Sequence, residues 1–134
     1  MGTESYPMKK TPQTTDTYYQ RQGMHNVLLF VPERLKSEIQ REAADQKVSM
    51  RDLYLKAMAN FIGKTNAAMT AGKLSEFTFR ATLRRAQGER FQMWLDPAMA
   101  EQVEMLAEAA AVTQRAFCYS ALLDTFNTSG ETTS

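Results

Sequence analysis

Two short runs in this chain alternate apolar and other side chains with the period of a half-buried strand. In the first, Val27, Leu29 and Val31 alternate with Asn26, Leu28 and Phe30. In the second, Phe91, Met93 and Leu95 alternate with Arg90, Gln92 and Trp94. Each run stops at a junction residue, Pro32 or Asp96, and a helical spacing takes over. Leu35, Ile39 and Ala43 then recur every fourth position, as do Met99, Val103 and Ala107, each set forming one stripe of a helix. Ser49 and Thr113 are good N-caps for a second helix in each half. Those helices carry Leu53, Ala57, Met58 and Ile62 in one case, and Phe117, Ala121, Leu122 and Phe126 in the other.

The two halves are a repeat. An offset of 64 residues lays positions 25–62 on 89–126 without a gap, although only four pairs are identical: Ala43/Ala107, Val48/Val112, Arg51/Arg115 and Ala57/Ala121. A strand-helix-turn-helix unit of 38 residues rarely buries enough surface to fold alone. The expected fold is therefore α+β and mostly helical, with two strands pairing antiparallel and four helices around one shared core. Residues 25–62 and 89–126 are the two units, and 25–126 form one domain. Residues 1–24 are read as a flexible arm and 127–134 as a disordered tail.

Gly63 is expected to close the second helix, leaving residues 63–88 as a linker. It is basic, with Lys64, Lys73, Arg80, Arg84 and Arg85 against Glu76 alone. A structureless connection of this length is uncommon. Phe77, Phe79, Ala81 and Leu83 alternate with Thr78, Arg80, Thr82 and Arg84. Part of it is thus expected to be a further strand turned back at Gln87-Gly88, with a helix from Ser75 as the alternative.

Composition narrows the function. The net charge of +1 is weak support for a polyanion binder, and the basic residues concentrate in the linker. The single cysteine, Cys118, excludes an intramolecular disulfide framework and reads as a buried thiol. No apolar run reaches membrane-spanning length and no signal-peptide core is present; a cytoplasmic protein with no membrane partner is expected. One histidine, His25, leaves no His-based metal cluster or Ser-His-Asp set. With no glycine-rich phosphate loop either, no catalytic residues, cofactors or metal are expected, and the chain is not read as an enzyme.

The strand-to-helix junctions at Val31-Pro32 and Leu95-Asp96, with the Val-Ser-Met-Arg and Val-Thr-Gln-Arg openings of the second helices, give each unit its resemblance. Each resembles the ribbon-helix-helix superfamily of MetJ/Arc-type repressors. The whole chain resembles the duplicated single-chain form found in some accessory proteins of conjugative DNA transfer. The resemblance implies sequence-specific binding of double-stranded DNA, with the β-ribbon in the major groove, for plasmid conjugation or transcription regulation. It implies base contacts from Asn26, Leu28, Phe30, Arg90, Gln92 and Trp94. Arg90 suits guanine O6 and N7, Gln92 and Asn26 suit adenine, and Leu28 or Phe30 suits thymine methyls. It also implies phosphate contacts at the helix openings Ser49, Met50 and Arg51, and Thr113, Gln114 and Arg115. A protein partner, or a second copy on an adjacent DNA half-site, is the further partner to expect. Leu28, Phe30 and Trp94 make the face unusually apolar for base reading, and a cover from the Tyr18-Tyr19 arm or the Phe77–Leu83 strand is the alternative for them. A protein-interaction adaptor using that face is therefore the rival expectation.

Overall fold

Two seven-residue strands form one antiparallel ribbon: β1 (His25–Val31) and β2 (Glu89–Leu95). A computed structural model describes Tyr19 and residues 22–126. The expectations for the rest of the arm and for the tail lie outside those residues. After β1 come α1 (Glu33–Gln46) and α2 (Met50–Thr70); after β2 come α3 (Pro97–Ala110) and α4 (Gln114–Thr125). Two single 3-10 turns, Leu74–Glu76 and Arg85–Gln87, punctuate the connection between the halves. The described chain is thus α+β and mostly helical, with a two-stranded sheet and four α-helices.

The ribbon register carries the repeat. Leu28 pairs with Gln92, its own counterpart at the 64-residue offset. The pairs on either side exchange under that offset: Val27·Met93 with Leu29·Phe91, and Asn26·Trp94 with Phe30·Arg90. The register therefore has a pseudo-twofold centred on Leu28·Gln92. Strand alternation then sends Val27, Leu29, Val31, Phe91, Met93 and Leu95 into the core, where each is at most 4% exposed. Beneath them lie Leu35 and Ile39 of α1, Met58 of α2, Val103 and Leu106 of α3, and Phe117 and Leu122 of α4, all fully buried. Each second helix packs on the strand of the other half, α2 on β2 and α4 on β1, and α2 and α4 pack on each other. Neither half can close its core without the other.

The turns between the paired helices contain two of the four identities, Ala43/Ala107 and Val48/Val112. α1 ends on Lys47 (φ 58°) and α3 on Ala111 (φ 61°), equivalent positions that both adopt the left-handed conformation. The next residue folds back: the Val48 N–H donates to the Ala43 carbonyl at 3.0 Å, and the Val112 N–H to that of Ala107 at 2.9 Å. This 6→1 bond is the Schellman closure, which an apolar residue just past the turn commonly accompanies. Neither left-handed residue is glycine. Because a Cβ there costs about 1–2 kcal/mol, Ala111→Gly should stabilise the protein, by up to about 1 kcal/mol after the added chain entropy of glycine. A raised thermal midpoint in a calorimetric scan checks this.

The structure corrects two expectations about the connection. α2 does not stop at Gly63 but runs to Thr70, and the left-handed Gly72 (φ 74°) ends it. The extra turns hold because Thr65 is buried, its hydroxyl donating to the Phe61 carbonyl at 2.9 Å, and Met69 packs against the core. Residues 77–84 are extended but pair with no strand, and no helix starts at Ser75 beyond one 3-10 turn. Their alternation serves the core instead. Phe77 and Phe79 set their rings 5.9 and 6.0 Å from Phe61, edge to face, and Phe79 stacks on Phe117. The Arg80 N–H donates to the Ser120 hydroxyl. The segment reaches the ribbon at one point, where the Leu83 N–H donates to the Phe30 carbonyl at 3.0 Å. At Gly88, which follows, a Cβ would lie 2.9 Å from the Val31 carbonyl oxygen, so this close approach requires glycine.

Candidate functional site

Away from the helices the ribbon presents three cross-strand pairs, Asn26·Trp94, Leu28·Gln92 and Phe30·Arg90. All six expected base-contacting residues thus share one face, but not equally. Asn26 and Arg90 are exposed, and Leu28, Phe30 and Gln92 are half-buried. Trp94 differs from expectation: it is 6% exposed, so it offers no open contact surface. Tyr19 lies over it, ring centroids 5.5 Å apart, and the Trp94 backbone N–H donates to the Tyr54 hydroxyl at 2.8 Å. Burial pushes the Tyr54 phenol above its ordinary value, against the opposing effects of that bond and of nearby Arg51. The phenol therefore stays neutral and keeps the strand edge satisfied.

The ribbon remains two-stranded because its free edges are occupied by isolated groups rather than by a third strand. Tyr54 takes one N–H of β2, Lys36 Nζ donates to the Arg90 carbonyl at 3.1 Å, and Leu83 donates to Phe30. A two-stranded ribbon retains the width that a major groove admits.

The two helix openings diverge in spite of their shared arginine. At α2, Ser49 and Asp52 form a reciprocal capping box, the Asp52 N–H donating to Ser49 Oγ at 3.0 Å. The Asp52 carboxylate thus already faces the positive helix end. Arg51 is half-buried and engaged: it pairs with Asp96 at 3.2 Å, donates to the Met24 sulfur, and lies over the Tyr19 ring at 5.2 Å. At α4, Thr113 Oγ1 accepts from the Ala116 N–H at 3.0 Å and no acid stands in the first turn. Arg115 is exposed, and no ion pair holds it among the described residues. A surface cleft of about 310 Å³ joins this opening to the ribbon, lined by His25, Asn26, Val27, Leu28, Gln114 and Arg115.

Of the expected phosphate-binding sets, Gln114 and Arg115 therefore adjoin the ribbon face through an open cleft, and Thr113 caps the helix that carries them. Ser49 is exposed and Met50 half-buried, while the guanidinium beside them is committed to structure. The sequence carried a signal for this difference. Asp96 stands where the first unit has Pro32, and Asp52 where the second has Ala116. The cover that the Tyr18-Tyr19 pair offered is met at Tyr19 over Trp94, whereas the positioning role of Tyr54 had no local signature.

Among the described residues no group of three or more His, Cys, Asp or Glu side chains could hold a metal, and no helix is long and apolar enough to cross a membrane. Cys118 is buried, and desolvation pushes its thiol up to about 12; a thiol held protonated is a poor nucleophile. No family model matches the chain, and no curated protein or solved structure does.

Proposed function

We propose that this chain is a tandem ribbon-helix-helix protein that binds double-stranded DNA sequence-specifically by laying its ribbon in the major groove. In this reading it serves as an accessory factor in conjugative DNA transfer or as a transcriptional repressor in the cytoplasm. The observation that carries the reading is the pseudo-twofold register centred on Leu28·Gln92. It puts Asn26, Leu28, Phe30, Arg90 and Gln92 on one face of a ribbon that has the width and alternation a groove can read. The acid-free opening of α4 beside that face supplies backbone N–H groups and Arg115 for a flanking phosphate.

The test is a gel shift of the full chain on duplexes from its own locus and on random duplexes, at two salt concentrations. Binding should weaken steeply with salt. Arg115→Ala should weaken both complexes alike and lower the salt slope by about one. Arg51→Ala should leave the slope nearly unchanged and reduce stability instead, because its guanidinium is held by Asp96 and Tyr19. Equal effects of the two variants on the slope would contradict this assignment.

One observation favours a second reading. Leu28 and Phe30 remain half-exposed at the centre of the face, and apolar surface on a ribbon also suits a protein partner. In that case the chain would be an adaptor, and salt would have little influence on its complex.

A further inference from the structure

We infer that the DNA site is not palindromic: it carries a guanine in the half read by Arg90 and an adenine in the half read by Asn26, so the chain sits on it in one direction only. This rests on the proposed groove binding and concerns what the ribbon would read there. A ribbon built from two identical strands presents the same side chain at mirrored positions, and so asks for the same base in both half-sites. Here the register is symmetric and the side chains are not.

The pseudo-twofold exchanges Asn26 with Arg90, Leu28 with Gln92, and Phe30 with Trp94. Asn26 and Arg90 are both exposed and each stands two residues from the central pair. An arginine is matched to the O6 and N7 acceptors of guanine, an asparagine to the N6 and N7 pair of adenine. Two strand residues span about 6.6 Å, close to two base-pair steps of about 3.4 Å. The two bases therefore lie roughly four base pairs apart.

The surroundings break the symmetry in the same sense. Phe30, beside Arg90, is half-exposed, whereas its counterpart Trp94, beside Asn26, is sealed beneath Tyr19. The Arg115 guanidinium has no ion-pair partner among the described residues while that of Arg51 is tied to Asp96. Reversing the chain on its site would therefore exchange the base readers and the phosphate contacts together.

Selection of bound sequences from randomised duplexes, using the full chain and two variants, tests this. The parent should enrich a non-palindromic motif with guanine on one side only. Asn26→Arg should place a second guanine at the mirrored position and weaken binding to the parental site roughly ten- to a hundredfold. Arg90→Asn should place adenine on both sides. Both positions are exposed, so thermal midpoints near that of the parent should confirm that the variants fold. A palindromic parental motif, or a motif that neither variant changes, overturns the inference and leaves the DNA-binding reading intact. Retained binding with no enriched motif overturns it together with sequence specificity. No binding to any duplex overturns it together with the proposed function.

Discussion

Leu29→Ala should lower the unfolding free energy by about 3–5 kcal/mol, near the upper end for a buried leucine. Leu29 is fully buried and pairs with Phe91 on the core side of the ribbon, one residue from its centre. Its side chain lies where both halves meet, so elements from both would have to move to fill the space. That loss is a large share of the ~5–15 kcal/mol by which a typical domain is stable. Met105→Ala, at a position 48% exposed on α3, should cost less than about 0.5 kcal/mol. Chemical denaturation of the two variants beside the parent gives the comparison. A Leu29→Ala loss near 1 kcal/mol would mean that the halves are coupled more loosely than the shared core implies.

The same coupling predicts the fate of half a chain. Residues 1–64 alone would present β1 with no partner strand and α2 with no β2 to pack on. They should be unfolded, or should dimerise by pairing β1 with itself about Leu28. Sedimentation and circular dichroism distinguish these from a folded monomer, which would contradict the arrangement.

The ribbon, its outward face and the four helices were legible because each rests on a periodicity that local sequence must obey. Strand alternation cannot slip by one residue without turning Leu29 or Met93 to solvent. The helix stripe at Leu35, Ile39 and Ala43 is equally constrained. What was not legible depended on partners distant in sequence. Gly63 looked like a helix end because an isolated glycine costs a helix about 1 kcal/mol, but buried Thr65 and the packing of Met69 outweigh one unfavourable residue. Alternation at 77–80 marked which side faces inward, but it breaks at Ala81, which is exposed, and Thr82, which is half-buried. It could not say whether that side would meet a strand or, as it does, the rings of Phe61 and Phe117.

The candidate site divides in the same way. Alternation placed Trp94 on the outer face, and no period could reveal that Tyr19 covers it. Arg51 and Arg115 are identical residues at equivalent places, which invites the same role for both. Their neighbours decide otherwise, since an aspartate at position 96 captures one and the equivalent Pro32 cannot capture the other. A repeat therefore transmits backbone geometry more faithfully than it transmits function.

In the proposed groove binding, Arg90→Ala should cost on the order of 1–3 kcal/mol of binding free energy on the preferred duplex and relax the sequence preference. Random duplexes should lose much less. Arg90 is exposed, and its known commitment is through the backbone, the carbonyl accepting from Lys36. Removing the side chain should therefore leave the fold unchanged. Gln92 stands next to it on the same face, on the pseudo-axis, and in the proposed reading Arg90→Ala combined with Gln92→Ala should abolish most of the remaining preference. The adaptor reading predicts the opposite pattern. Leu28→Asp or Phe30→Asp would then destroy a protein complex by placing a charge on its apolar contact, while Arg90→Ala would leave DNA binding untouched. One panel of these variants, titrated against specific and random duplexes with thermal midpoints measured alongside, separates the two. Sequence preference retained in the Arg90→Ala, Gln92→Ala double variant would rule out groove reading by this ribbon and leave Leu28 and Phe30 as the functional centre of the face.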